Sequence, residues 1–305
     1  MIKQLSRYSV HRLAVAGLVL VAAAYSLLNV SSRLLAEGFP PMTQVYLRIS
    51  FGALILMALF RKHLRWKRII TMPARDFLIL LSMGIIGYSI AVYFSTLAAI
   101  NAKLINVTVI FASVPFFSYL YAFFVLKKPL NGKLIALLIT SLIGITMVAT
   151  KSFVPHLTVF GKGEWFALLA TATMAWFYVG RKLLSTHLNT HEITISVMTI
   201  AAISGFLIAI LRGETISVSA FTNPHVLLGL VIGTGMNILV NPLEIFAFNH
   251  LDAVIGTQVL LLDNVFALLF GYVMYHEMVG VPEMIGGIII VSSVFVANRY
   301  LHEII

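Results

Sequence analysis

The chain has 305 residues, 60% of them hydrophobic and only 10% charged, with a formal net charge of +10. A soluble domain averages about 45–50% apolar and about 25% charged. No single core could hide so much apolar surface, so lipid must be the solvent. With no cysteine, disulfides, thiolate metal sites and cysteine nucleophiles are excluded.

A helix rising about 1.5 Å per residue needs about 20 apolar residues to cross about 30 Å of hydrocarbon. Ten stretches qualify: 13–31, 42–60, 77–97, 104–126, 132–150, 164–180, 193–211, 226–248, 254–275 and 281–298. Alternating strands of barrel type are absent, which leaves helices to satisfy the backbone in lipid. The basic N-terminus followed by LAVAGLVLVAAAYS reads as a first span, because its apolar core is too long for a signal peptide. The expectation is an all-α integral membrane protein with ten transmembrane helices.

Charge sets the orientation. With the N-terminus inside, fifteen of the 21 Lys/Arg fall in cytoplasmic segments, six of them between Arg61 and Arg75. That bias places both termini in the cytoplasm, in a bacterial inner membrane. The basic run RKHLRWKRII is then an orientation signal at a lipid surface. No aromatic-interleaved basic module accompanies it, so nucleic acid is not an expected partner.

A shift of 149 residues lays SSRLLA (Ser31–Ala36) over GRKLLS (Gly180–Ser185). The same shift lays VPFFSYLYAFFVLKKPL over DNVFALLFGYVMYHEMV, with Pro115 on Asn264 and Lys128 on Glu277. Two halves follow, 1–155 and 156–305. Five helices is an odd number, so the second half starts from the opposite membrane face, an inverted repeat of the kind transporters use.

The first half resembles the EamA-type repeat of the drug/metabolite transporter superfamily. The family pattern has an aromatic in helix one, a basic residue at its end, then Pro and Arg in helix two; Tyr25, Arg33, Pro40 or Pro41, and Arg48 match. It also has a Pro in helix four, where Pro115 stands, and a Glu thirteen residues later, where Lys128 stands instead. In the second half Glu277 supplies that Glu, Asn264 replaces the Pro, and Val197 replaces the Arg. The resemblance implies a secondary transporter, without cofactor, whose cavity is lined largely by helices one, three, four, six, eight and nine.

Ionisable groups inside spans are functional candidates, since burying a charge in lipid costs at least about 2.5–3.5 kcal/mol. Asp263 lies about 14 Å into helix nine, Arg48 about 9 Å into helix two, and Glu244 about 6 Å from the inner boundary. Asp263 is a candidate proton carrier, or a structural partner of Arg48. Glu244 is a second proton candidate.

The stretch NILVNPLEIFAFNHLD puts Thr234, Asn237, Asn241, Glu244 and Phe248 at spacings of 3, 4, 3 and 4, on one helical face. Pro242 leaves the carbonyl of Ile238 without its usual donor. This stripe either lines a substrate cavity or is hydrogen-bond glue between helices. Further candidate wall residues are Tyr25 and Asn29 on helix one, Asn106 and Ser113 on helix four, Thr173 and Trp176 on helix six, and Thr257, Gln258 and Asn264 on helix nine. Arg48, Pro115 and Pro242 are read as structural.

No histidine spacing suits a metal, and no P-loop or nucleophile elbow appears. Loops are too short for an ATP-binding module. The expected function is export of small metabolites or amino acids by alternating access, with or without proton coupling. A homodimer in the lipid is compatible with this. A non-transporting sensor or assembly subunit, and a membrane-embedded enzyme, are the rival readings; the sequence shows no convergent acid/base set for the latter.

Overall fold

A computed structural model describes residues 2–127, 132–153, 161–250 and 259–304. Thirteen α-helices are described: α1 (Ile2–Leu35), α2 (Pro41–Leu59), α3 (Trp66–Ile70), α4 (Ala74–Ser82), α5 (Ala91–Asn101), α6 (Leu104–Phe111), α7 (Val114–Leu126), α8 (Gly132–Thr150), α9 (Lys162–Leu183), α10 (Thr190–Leu211), α11 (Pro224–His250), α12 (Asp263–Tyr275) and α13 (Val281–Ile304). A π-helical segment, Met83–Ile90, joins α4 to α5. No strand occurs among the described residues.

Among the described residues, helix is found in each expected span, and six helices there are long and apolar enough to cross a membrane by that measure alone. They are Val10–Leu35, Pro41–Leu59, Ala74–Asn101, Leu104–Leu126, Thr190–Leu211 and Pro224–Glu244. Ile135–Thr150 and Val281–Ser293 are apolar but shorter. α9 begins with Lys162 and Glu164 and carries Thr, Trp and Tyr along its length, which dilutes its hydropathy. The start of the ninth stretch lies in 251–258, outside the described residues.

The packing follows the 149-residue shift. α1 packs most extensively on α11, and its counterpart α9 packs on the π segment and α5, the counterpart of α11. Counterparts also pack on each other: α2 on α10 and α8 on α13. Helices that meet their own equivalents are what a twofold exchange of the two halves requires.

Hydrogen bonds repeat the relationship. In the fourth stretch the helix breaks between α6 and α7, where Ser113 N donates to Ile110 O and Phe116 N to Ser113 O. At the shifted positions Leu262 N donates to Val259 O and Val265 N to Leu262 O. Pro115 stands in the first turn after the first break. At the second break its counterpart Asn264 donates to Leu261 O at 3.0 Å instead. Two residue types thus handle the same interruption, one by lacking a donor and one by supplying a cap.

The α2/α10 pair is fastened at both ends by a carboxylate. At one end Thr43 N donates to Glu214 Oε2 at 2.8 Å. At the other Arg65 N donates to Glu192 Oε1 at 3.0 Å. The shift exchanges Thr43 with Glu192 and Arg65 with Glu214, so the acid has changed sides while the clasp has not. Glu192 also completes a capping box with Asn189 that starts α10. Where α8 crosses α13, an added Cβ on Gly286 would lie 2.7 Å from Gly144 O, so neither helix tolerates a side chain there.

Candidate functional site

The polar stripe of α11 faces α1 and α2. Tyr25, on α1, donates a 2.5 Å hydrogen bond to Glu244 Oε1. Arg181 and Tyr178 of α9, and Tyr88 of the π segment, lie within electrostatic range of the same carboxylate. Arg48 faces Tyr88 from α2. One acid, two guanidinium groups and three phenols from five segments therefore converge. Among the described residues no ion pair joins Glu244 to Arg181; the two opposite charges face each other without direct contact. Tyr178 is 44% exposed although its ring is in range of Tyr88 and Glu244 on other helices.

The asparagine amides of the stripe donate within their own helix. Asn237 Nδ2 donates to Gly233 O at 2.8 Å and Asn241 Nδ2 to Asn237 O at 3.0 Å, both on their own helix. Both side chains are half-buried, with their amide oxygens free of any protein donor among the described residues. Pro242 sits inside α11 without ending it.

Asp263 stands at the second helix break. Ser26 Oγ donates to both its carboxylate and, at 2.9 Å, its backbone carbonyl. Arg48 is not its partner. The guanidinium is buried among neutral acceptors: Leu28 O at 3.3 Å, Ser32 Oγ at 3.0 Å, Thr96 Oγ1 at 2.9 Å and its own Gln44 O at 3.4 Å. It ties α1, α2 and α5 together. The Asp263 carboxylate instead accepts from Ser26.

The other expected wall residues divide. Asn29 is buried. Trp176 donates to Ser82 Oγ at 3.1 Å and meets the Tyr121 ring edge-on at 5.8 Å. Thr173 and Ser113 bond to carbonyls of their own helical segments. Asn264 caps Leu261 O, and its buried amide oxygen has no hydrogen-bond partner among the described residues. Thr257 and Gln258 lie outside the described residues.

Asn106 is elsewhere. It is buried at one end of the bundle and donates to Glu164 Oε1 at 3.1 Å and Glu283 Oε1 at 3.2 Å. An asparagine seven residues from Ser113 looks like a wall residue in sequence, but the two carboxylates that claim it are 58 and 177 positions away. A surface groove between Met57, Trp66, Phe77 and Ile200 contains none of the expected residues.

Sequence reasoning missed Tyr88, Tyr178, Arg181 and Ser26. Arg181 had counted only as an orientation charge. Tyr178 stands two positions after Trp176, and Ser26 one after Tyr25, so neighbours of chosen residues carried the signal.

The fold and site define a polytopic helical membrane protein of two related halves that meet around a buried polar cluster. The chain belongs to the EamA-like transporter family: the family model matches twice, over residues 12–150 and 161–299. This places it in the drug/metabolite transporter superfamily. A protein of Clostridium kluyveri recorded as "Uncharacterized transporter" is 27% identical over 133 residues, 43% of this chain and 42% of that one. A solved structure recorded as "Crystal structure of protein" shares the fold, with a TM-score of 0.59 at 16% identity over 97% of this chain and 99% of the other.

Proposed function

We propose that this protein is a secondary transporter for small zwitterionic metabolites, amino acids being the first class to test. The observation that carries this reading is Glu244 facing Arg181 without pairing, beside three tyrosines. A direct ion pair would neutralise both groups. Held apart, they match the ammonium and the carboxylate of one ligand, and phenol rings offer cation–π and hydrogen-bonding contact to it.

In this reading ten spans form two inverted five-helix halves, 1–155 and 156–305, in a bacterial inner membrane, with the basic ends of the helices and both termini in the cytoplasm. Asn237, Asn241, Tyr25 and Glu244 line the path. The halves rock about the site, and substrate loads from the cytoplasm and leaves outside. Asp263, at a helix break between the halves, carries the proton if transport is coupled to one.

Thermal unfolding of the detergent-solubilised protein tests the ligand class. Stabilisation by free amino acids, lost with their N-acetyl and methyl-ester analogues and lost in Glu244→Gln, is the expected result. Equal response to all three ligand forms would overturn the zwitterion reading.

A further inference from the structure

The groove between α2, α3, α4 and α10 has no part in the site around Glu244. Its volume is about 570 Å³, within the about 300–1,000 Å³ typical of small-ligand pockets. Met57, Trp66, Ile70, Phe77, Ile195 and Ile200 give it an apolar lining, drawn from α2 to α4 of the first half and α10 of the second. Trp66, Ile70 and Phe77 stand exposed along it. An exposed tryptophan at the end of an apolar span marks the depth at which a membrane protein meets lipid headgroups.

The same short segment carries charge. Arg65, Lys67 and Arg68 are interleaved with the groove residues Trp66, Ile69 and Ile70. Arg61, Lys62 and Arg75 flank them, and all six cations are exposed. Backbone groups anchor the segment to the start of α10 and the loop before it. Arg65 N donates to Glu192 Oε1 at 3.0 Å, Asn189 Nδ2 donates to His63 O at 2.9 Å, and His187 Nε2 lies 3.1 Å from Arg68 O. Among the described residues none of the six cationic side chains takes part in an ion pair. The acids at hand are turned inwards. Asp76, the only acid between Arg61 and Phe77, is buried and accepts from Ser185 Oγ and, at 3.4 Å, from Ser185 N. Glu192 is buried with one oxygen on Arg65 N and the other on Asn189 N. A positive surface thus borders an apolar groove.

We infer that this groove and its cations form a binding site for one anionic phospholipid, with an acyl chain lying between α4 and α10 and the phosphate resting on the cations of α3. Each feature alone selects less. A lipid of no net charge would fill the groove and leave the cations unmatched. A soluble phosphate ester would meet the cations and leave the groove unfilled. A phospholipid of net negative charge satisfies both, and guanidinium groups suit its phosphate oxygens. Because the groove draws its walls from both halves, the bound lipid stabilises the packing of α4 on α10. The site depends on neither a transported substrate nor the zwitterion reading.

Full-length protein in a mild detergent is given phosphatidylglycerol or phosphatidylcholine at equal concentration. Bound lipid is counted by native mass spectrometry, and thermal unfolding is followed beside it. The native chain is expected to retain phosphatidylglycerol about tenfold or more in preference to phosphatidylcholine, and to unfold at a higher temperature with the first lipid only. Lys67→Gln/Arg68→Gln should remove most of that preference. Its unfolding temperature without lipid should match that of the native chain, because both side chains are exposed. Ala74→Trp fills the groove and keeps every cation, so it should lose the retained lipid. Equal retention of the two lipids by the native chain would overturn the site, and that result needs no variant to fold. Undiminished preference in Ala74→Trp would reduce the effect to general charge attraction and overturn it too. So would a dimer that Ala74→Trp dissociates and neither lipid affects, since a second copy would then fill the groove. The ligand-stabilisation experiment on the zwitterion reading stands or falls separately.

Discussion

Tyr25 and Glu244 are 219 positions apart in the chain and joined by a 2.5 Å hydrogen bond in the fold. The bond crosses from the first helix of one half to the third helix of the other. In the proposed reading it positions the carboxylate that meets the ligand. A hydrogen bond to a charged group contributes about 1.5–3 kcal/mol, so Tyr25→Phe should weaken ligand binding about tenfold or more. Binding measured by titration calorimetry checks this. The fold should survive, because only the hydroxyl is removed.

Asp263 and Ser26 form the second such link, at the interrupted helix. If Asp263 carries the coupling proton, Asp263→Asn in proteoliposomes abolishes uptake driven by a pH gradient and preserves downhill exchange. Ser26→Ala, which removes the donor from that carboxylate, should shift the pH dependence of uptake without abolishing it. Gradient-driven uptake unchanged in Asp263→Asn removes the proton role.

Among the described residues Arg48 has no acid partner, and its guanidinium fork reaches acceptors on three helices. A lysine ammonium cannot span them. Arg48→Lys is expected to lower stability by about 2 kcal/mol or more, read as a lower unfolding temperature in detergent. Charge is unchanged, so an equal loss with Arg48→Met would assign the effect to geometry.

The two carboxylate clasps on α2 and α10 should be unequal. Glu214→Gln weakens one set of contacts to the α2 N-terminus. Glu192→Gln disturbs both the contact to Arg65 and the capping box of α10. Loss of a cap costs about 0.5–2 kcal/mol, so Glu192→Gln should be the more destabilising of the two in the same thermal assay.

Glycines on crossing helices give a paired control. Gly286→Ala drives a Cβ against Gly144 O and should destabilise the α8/α13 contact. Gly235→Ala meets nothing within 4 Å. It should be neutral or stabilising by up to about 1 kcal/mol, since alanine is the better helix former.

Hydropathy made the helices legible, and the 149-residue shift made the two halves legible, because both survive substitution of one apolar side chain for another. The face of α11 was legible for the same reason: a 3, 4, 3, 4 polar spacing in an apolar span has a direct geometric meaning. What stood against that face was not. Arg181 sits where orientation charges collect, Tyr88 sits in an apolar run, and only packing of α9 and the π segment brings both towards Glu244. The first helix break carries a local signal in Pro115, although 104–126 reads as a single span in sequence. The second was silent, since Asn264 gives no local signal of a break. Asn106 looked like a cavity residue because its partners, Glu164 and Glu283, are remote in sequence.

The most direct measurement is counterflow in proteoliposomes loaded with an unlabelled amino-acid mixture and given a labelled one outside. Transient accumulation of label by the native chain, abolished in Glu244→Gln and strongly reduced in Arg181→Gln, is the predicted result. Equal counterflow in all three proteins would contradict the claim that these two opposed charges bind what is carried.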